Sequence, residues 1–198
     1  MKPEASDSLR IFPEDILHPI DLDACFGETR PLEVDVGCGK GRFLLTHATD
    51  HPDTHFLGID RMLRRIRKID RKAVRAKLHN IRLLRMEAYY AVTYLLPPCS
   101  VSTYYILFPD PWPKKKHHDH RLFNPTFLEA LIRTLIPGGK LHVATDHLPY
   151  FEEIQQILHA CPDFTHIEPW EPLSHERTDF ELLFLESKPI GRASYQRK

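Results

Sequence analysis

The chain has 198 residues, with 27 Lys and Arg against 27 Asp and Glu, so its formal net charge is zero. This length suits one α/β domain with a full core and excludes a second large domain. A neutral total excludes a uniformly basic protein, but residues 61–77 hold nine Lys or Arg and one acid. Such a segment either binds phosphates locally or is simply a solvated helix face.

The four cysteines are scattered along the chain and form no CxxC pair. We therefore expect no zinc site and no disulfide framework, and a reducing, cytoplasmic location fits best. No run of about 18 apolar residues predicts a membrane-spanning helix, so no membrane partner is expected.

Residues 1–30 contain three prolines and one glycine and show no long apolar period. We interpret them as an irregular N-terminal arm with one short helical turn, followed by a single domain over residues 31–198. That domain opens with a buried strand over 32–36, a glycine loop over 37–41 and a helix that starts at Arg42. A strand, glycine loop and helix in this order form the first unit of a doubly wound sheet.

The remaining elements alternate between strand and helix. Strands are predicted over residues 55–60, 80–84, 103–107 and 140–145, with a further strand-like run over 180–185. Helices are predicted over 61–78, 88–96, 127–136 and 148–160. This alternation predicts an open, mostly parallel, seven-stranded sheet with helices on both faces and an antiparallel hairpin in the region after residue 164.

The glycine loop, with Gly37, Gly39 and Gly41, lacks the GxGxxG spacing of dinucleotide-binding loops and is a weak signal alone. Asp60 lies 19 residues beyond Gly41, at the end of the second strand. A carboxylate at that position can accept hydrogen bonds from a ribose diol. The sequence therefore predicts a nucleoside-containing ligand beside this loop.

Two further acids, Asp35 and Glu87, stand at the ends of the first and third predicted strands. Together with Asp60 they would repel a pyrophosphate, but they suit a ligand with an ammonium, a sulfonium and a ribose. We therefore expect S-adenosylmethionine as the cofactor. A nicotinamide dinucleotide is the alternative, and each acid alone is equally typical of a solvated loop.

A proline-rich loop, Phe-Pro-Asp-Pro-Trp-Pro over residues 108–113, follows the predicted strand 103–107 and precedes three lysines. Its prolines prevent continued strand or helix and hold Asp110 and Trp112 in place. Trp112 either stacks on a base or packs as a plug against its own loop. The alternative for the whole stretch is a proline-rich turn with a solvated basic tail.

The stretch from Phe108 to His117 resembles the signature of bacterial tRNA (guanine-N7)-methyltransferases. Residues 144–146, Ala-Thr-Asp, and 178–181, Thr-Asp-Phe-Glu, are similar to two further motifs of that family. The resemblance covers about residues 31–190. It implies a Rossmann-like class I methyltransferase fold, S-adenosylmethionine as methyl donor, and tRNA as partner of a monomer or homodimer.

The resemblance also implies residue roles. The acids that would contact the methyl donor or lie beside it are Asp35, Asp60, Glu87 and Asp110. The residues that would contact the substrate guanosine or its tRNA are Lys114, Asp146, Thr178, Asp179, Phe180 and Glu181. The chain departs from the family at Leu183, where a Lys or Arg is usual.

Guanine N7 carries a lone pair and no proton, so its methylation needs no general base. The enzyme must position N7 and stabilise the positive charge that moves onto the ring. We assign this role to Asp110, with Asp146 as its partner; a carboxylate would also accept hydrogen bonds from guanine N1–H and the 2-amino group.

Two other functions stay open from the residues alone. One is an exocyclic amino-methyltransferase acting on another nucleic acid or a protein, and the other is a non-catalytic RNA-binding scaffold.

A metal site in the run of residues 117–120, His-His-Asp-His, is not expected, because adjacent histidines cannot all reach one ion without strain.

Overall fold

The computed structural model describes residues 8–184 and 188–198. They form an eight-stranded sheet in the order β1-β4-β3-β2-β5-β6-β8-β7. The strands are β1 Arg10–Ile11, β2 Leu32–Val36, β3 His55–Ile59, β4 Ile81–Leu84, β5 Val101–Leu107, β6 Leu135–Thr145, β7 Phe164–Ile167 and β8 Gly191–Arg197. The helices are α1 Leu22–Phe26, α2 Arg42–Asp50, α3 Leu63–Arg75, α4 Ala88–Tyr90, α5 Pro125–Thr134, α6 Leu148–His159 and α7 Asp179–Phe184.

Neighbouring strands from β1 to β6 are parallel, and β8 is antiparallel to both β6 and β7. The predicted mostly parallel sheet with a C-terminal antiparallel pair is therefore confirmed, although it has eight strands and not seven. The additional strand is β1, two residues that pair with the edge strand β4. Its shortness explains why no periodicity revealed it.

Helices cover both faces of the sheet. On one face Leu44 of α2 and Ile69 of α3 pack with Phe56 and Leu83. On the other face Leu131 of α5 and the apolar side of α6 pack against a larger apolar cluster. Alternate strand residues thus point to opposite cores, which is why β3 and β4 are mostly apolar, with His55 and Arg82 as their polar residues.

After β2 the chain forms β3 and β4 on one side of β2, and it then crosses over to form β5 on the other side of β2. β2 therefore has sequence-distant neighbours, with its Asp35 opposite Gly58 of β3 and Tyr105 of β5. In open parallel sheets a ligand crevice forms at such a reversal, beyond the carboxyl ends of the strands. The strand ends at β2, β3, β4 and β5 are those predicted to carry the acidic site.

One predicted strand is wrong. Residues 179–184 form the helix α7, whereas their apolar pattern had indicated a strand over 180–185; Leu185 lies outside the described residues. The Thr178 hydroxyl accepts a hydrogen bond from the backbone N–H of Glu181 at 3.0 Å. Thr-x-x-Glu is the sequence of a helix capping box, so local capping overrides the alternation of apolar residues.

The segment before β2 holds more structure than an irregular arm. β1 joins the sheet, and the short helical turn predicted there is α1, whose first turn is capped by Asp21. The separation of residues 1–30 from a domain over 31–198 stays a prediction. None of the described helices is both long and apolar enough to cross a membrane.

Candidate functional site

The glycine loop turns sharply between β2 and α2. Gly37, Gly39 and Gly41 all have positive φ, at 83°, 56° and 75°. Gly41 also packs against α3, since a Cβ there would lie 2.5 Å from a side-chain carbon of Ile69. Gly37 differs, because a Cβ there would meet nothing within 4 Å. The loop thus leaves open space directly beyond the end of β2.

Two of the predicted acids are buried beside this loop. Asp35 and Asp60 are each 5% exposed. Burial raises the pKa of Asp35 to about 7; His47 counteracts this shift, and the nearby charge of Asp60 adds to it. Among the described residues no group donates a hydrogen bond to the Asp35 carboxylate, so its interaction with a ligand would be unopposed.

Asp60 holds the loop together. Its carboxylate accepts hydrogen bonds from the backbone N–H of Gly39 at 3.1 Å and of Met62 at 2.7 Å. Arg65 of α3 pairs with the same carboxylate at 3.1 Å. The residue predicted to bind a ribose therefore also positions the glycine loop against α3.

Glu87 follows β4 and caps the next helix. Its two carboxylate oxygens accept from the backbone N–H groups of Tyr89 and Tyr90 at 3.0 and 2.9 Å. The helical stretch predicted over 88–96 is confirmed, with α4 continuing as a π-helical turn over Ala91–Leu95. The cap fixes Glu87 at the carboxyl edge of the sheet.

The proline-rich loop leaves β5 at Phe108, whose φ is 57°, and Trp112 within the loop has φ 42°. Such values are strained for aromatic residues and require support from surrounding contacts. Trp112 is half-buried, with its ring 5.0 Å from that of His120. The ring packs on the residues that follow its loop and also lines a cavity, so the choice between the two predicted roles stays a prediction. Asp110, between them, is exposed.

Two adjoining cavities, of about 230 and 340 Å³, lie at this edge of the sheet. Both are lined by Gly37, Arg65, Leu107, Phe108 and Asp110. The smaller cavity adds the predicted acids Asp60 and Glu87, together with Trp112. The larger adds Asp35, Gly39, Gly41, Thr178, Asp179, Phe180 and Leu183. The structure thus brings together all the residues predicted to bind the donor, with Asp110 at their junction.

Part of the predicted substrate group borders the larger cavity. Phe180 is 40% exposed, and its ring lies 5.0 Å from that of Phe108. Lys114 is exposed just beyond the proline-rich loop, outside the lining of both cavities. Leu183, where the resembled family usually has a cation, is 71% exposed at the same cavity.

The other two predicted substrate residues are occupied by ion pairs. Glu181 is 1% exposed and its carboxylate pairs with Arg192 of β8 and, at 3.5 Å, with Arg177. Asp146 lies after β6 and pairs with Lys188 at 2.8 Å. Neither is part of the lining of the two cavities. Their contact with a substrate stays a prediction, and for Asp146 it would require exchange of the Lys188 pair.

A buried polar network connects α2 to the segment before α7. His47 of α2 contacts Glu176 at 2.5 Å and Glu33 at 3.3 Å, while its Nε2 also lies 3.1 Å from the Tyr105 hydroxyl. Burial alone would lower the pKa of His47, but hydrogen bonds and charges from both glutamates raise it overall. The network therefore fastens the segment before the Thr178 motif to α2 through buried hydrogen bonds.

In the part of the chain that the structure describes, the group that could converge on a metal ion is His47, His51 and Glu176, with ligand atoms within 4.8 Å of one another. Both ring nitrogens of His47 already have protein partners. The cluster is thus accounted for as a hydrogen-bonded network. The histidines of residues 117–120 instead lie in a 3₁₀ turn, Lys115–His120, against Trp112.

The model of a protein family described as "Putative methyltransferase" matches residues 29–183 of this chain. That range includes both cavities and the proline-rich loop. The chain belongs to this family.

Curated relatives carry a more specific description. A protein of Streptomyces avermitilis, named tRNA (guanine-N(7)-)-methyltransferase, is 38% identical over 152 residues, which are 77% of this chain and 52% of the relative. One of Halorhodospira halophila with the same name is 40% identical over 73% of this chain and 63% of its own length. The chain thus spans about half to three-fifths of these relatives.

Solved structures of methyltransferases share the family's architecture. The 16S rRNA methyltransferase KamB superposes with a TM-score of 0.70 at 17% identity, over 96% of this chain and 99% of KamB. A "putative methyltransferase" of Streptococcus mutans in complex with SAH has a TM-score of 0.59 at 12% identity, over 86% of this chain and 90% of that one. At such low identity these likenesses concern the fold alone, and they confirm the predicted class I methyltransferase architecture.

Two features near the site are not among the residues that the sequence predicts. Arg65 borders both cavities and pairs with Asp60, whereas the sequence places it only within a basic run. Its position five residues after Asp60, one turn into a helix, was a usable signal. The contact between His47 and Glu176 had no such signal, because 129 residues separate them.

Proposed function

We propose that the chain transfers the methyl group of S-adenosylmethionine to N7 of a guanosine in tRNA. One observation carries the proposal: Asp110 of the proline-rich loop lines both cavities, so the acidic strand edge and the loop border one continuous site. The family match and the names of the curated relatives support the same activity.

The residues at the strand edge fit the donor. S-adenosylmethionine, when bound, supplies an electrophilic methyl group on a positively charged sulfur. Two buried carboxylates, Asp35 and Asp60, favour a cationic ligand, because little water screens them. The open space beside Gly37 lets the ligand approach the backbone closely. Glu87 adds a third acid at the far side of the smaller cavity.

The acceptor guanosine needs positioning and charge stabilisation, and it needs no base. The Asp110 carboxylate, held by prolines on both sides, would accept hydrogen bonds from guanine N1–H and the 2-amino group. Adenine lacks this pair of donors, so the same contact would select against it. As positive charge develops on the ring, the carboxylate stabilises it. Asp110 is therefore the catalytic residue of the proposal.

The substrate contacts extend to the walls of the larger cavity. Thr178, Asp179 and Phe180 border it and would contact the guanosine or its neighbours. Lys114 would contact a phosphate of the tRNA. A cytoplasmic location and a monomeric or homodimeric state complete the proposal.

Mass analysis of modified tRNA tests the proposal directly. Unmodified bulk tRNA would be incubated with the protein and S-adenosylmethionine, digested, and searched for 7-methylguanosine, whose position is then mapped. We expect this nucleoside from the wild-type protein and its near absence with Asp110→Asn.

Other outcomes would contradict the proposal. Methylation of an exocyclic amine in place of N7 would support the amino-methyltransferase alternative. Absence of any calorimetric signal with S-adenosylmethionine would support the non-catalytic RNA-binding scaffold.

A further inference from the structure

The outward face of α3 carries a stripe of four cations. Ile66, Ile69 and Ala73 point into the core and are at most 1% exposed. At about 100° per residue, the side chains on the opposite side of the helix are those of four other residues. These residues, all exposed, are Arg64, Lys68, Arg71 and Arg75. The stripe runs from Arg64 to Arg75, about 17 Å along the axis of the 13-residue helix.

Among residues 8–184 and 188–198, no acid pairs with this stripe. Asp70, the acid within residues 61–77, is 8% exposed and turned away from the stripe. Its carboxylate accepts from the Ser8 hydroxyl at 3.1 Å and the Leu9 N–H at 2.9 Å, and it pairs with Arg10 at 3.2 Å. Among the described residues, none of the four stripe cations has an ion-pair partner.

The stripe is unfavourable for the isolated chain. Its members are spaced by three or four residues, so neighbouring like charges face each other along the helix. Like charges at these spacings repel one another and destabilise the helix. An ordinary solvated helix would alternate these cations with acids. A polyanion lying along the stripe would relieve the repulsion, which is the physical reason to assign it a partner.

The stripe leads directly to the proposed site. α3 begins three residues after Asp60, and Arg61 and Arg65 line the smaller cavity. Trp112 and His120 line the same cavity from the other side. Next to them in the chain are Lys114, Lys115 and Lys116, which are exposed and lack ion-pair partners in the described residues. Cationic surfaces therefore flank the cavity on two sides, and a polyanion could cross it between them.

We propose that the α3 stripe docks the phosphate backbone of the tRNA whose guanosine enters the site. This inference rests on the proposed function for the identity of the RNA. A double-stranded arm suits a straight helix face, because it presents its phosphates in regular rows and is recognised largely by shape and backbone contacts. Phosphate contacts position a nucleic acid without reading its sequence. The stripe thus orients the tRNA, and the Asp110 pocket selects the base.

Charge reversal at the end of α3 far from the cavity tests the docking surface. The variant Arg71→Glu with Arg75→Glu changes two stripe residues that line neither cavity. Its matched control, Lys140→Glu with Lys198→Glu, makes the same change in net charge. Lys140 of β6 and Lys198, directly after β8, are exposed and lie on the opposite side of β2 from β3 and β4, the strands that α3 connects. A third variant, Arg71→Lys with Arg75→Lys, keeps the charge.

Binding of labelled tRNA would be measured by fluorescence anisotropy over a range of salt concentrations. For the α3 Glu variant we expect at least about tenfold weaker binding at low salt and a loss of about two from the log–log salt slope, one for each phosphate contact. The Lys140 and Lys198 control and the Lys variant should stay within about twofold of wild type. Binding of the α3 Glu variant equal to wild type, or weakened no more than that of the control, overturns the docking surface.

Methylation kinetics separate this inference from the proposed function. The α3 Glu variant should show a raised KM for tRNA with unchanged kcat and unchanged affinity for S-adenosylmethionine. Normal methylation with an unchanged KM would contradict docking on α3 and leave the proposed function standing. Weakened tRNA binding by the variant, alongside a wild-type protein that forms no 7-methylguanosine, would support the surface and contradict the proposed function.

Discussion

The two halves of the proposed site differ in how much water reaches their carboxylates. On the donor side, Asp35 and Asp60 are each 5% exposed, and Asp60 is held by the backbone N–H groups of Gly39 and Met62. On the acceptor side, Asp110 is exposed in a loop with two strained aromatic residues. The comparison indicates that the donor half is complete in the free protein. On the proposed function, the acceptor half would be desolvated only when the tRNA covers it.

The largest expected effect is on the acceptor side. Asp110→Asn should lower kcat for tRNA methylation by about 10²–10³-fold, because it removes the charge that stabilises the developing positive charge on guanine. Affinity for S-adenosylmethionine, measured by calorimetry, should change by only a few fold. Asp119→Asn, at an exposed acid of the neighbouring 3₁₀ turn, is the control and should keep its activity. Near wild-type turnover of Asp110→Asn would refute the electrostatic role.

A substitution at Glu181 tests whether its ion pair gives the acceptor half of the site a rigid structural support. Glu181→Gln should lower the free energy of unfolding by about 3 kcal/mol, because it leaves the largely buried side chain of Arg192 without its ionised partner. Urea denaturation would measure the change, with exposed Glu171→Gln as a control that should be neutral. An unchanged unfolding free energy together with a raised KM for tRNA would instead favour direct substrate contact.

A substitution at Asp60 tests whether the donor half of the site is preformed. Asp60→Asn should weaken binding of S-adenosylmethionine by about 10–100-fold, since one carboxylate oxygen is replaced by a group that cannot accept hydrogen bonds. Calorimetry would report the affinity, and thermal unfolding would check that the loop still folds. Asp53→Asn, at an exposed acid before β3, should bind the donor normally. Equal affinities for both variants would show that Asp60 serves the loop alone.

The smallest expected effect is a pH dependence of donor binding. With its pKa raised to about 7 by burial, Asp35 is mostly protonated at pH 6 in the free protein. A cationic donor favours the ionised form, so binding below pH 7 must release a proton. Affinity should therefore rise by up to about tenfold per pH unit towards pH 7 and level off above it. Calorimetry at several pH values, with Asp35→Asn expected to flatten the profile, would check this; an unaltered profile in that variant would assign it to another group.

The same raised pKa has a consequence for folding. The folded state retains the Asp35 proton at pH values where the unfolded chain, with its ordinary pKa near 4, has lost it. The contribution of Asp35 to stability therefore falls as pH rises from about 4 through about 7. The contribution of His47 to stability changes with pH in the same direction. Its pKa is raised in the folded state, so the contribution is full below the unfolded pKa of about 6.5 and is lost as pH rises through the folded value.

Sequence by itself determined the parts of this protein that depend on short-range patterns. Apolar runs located the main strands, and acids at their ends predicted which side chains meet, because parallel strands finish at one edge of a sheet. Alternation of apolar residues failed at α7, where the Thr178 cap decided for helix. The Thr-x-x-Glu pattern of residues 178–181 is a local signal for this helix, and it is present in the sequence.

Tertiary structure decided which of these acids are free to act. Asp60, Glu181 and Asp146 were all predicted as ligand contacts, but their partners Arg65, Arg192 and Lys188 became visible only in the fold. The raised pKa of Asp35 also required the fold, since it comes from burial. Long-range ion pairs and burial follow from the packing of distant segments, and no local pattern encodes the distances on which they depend.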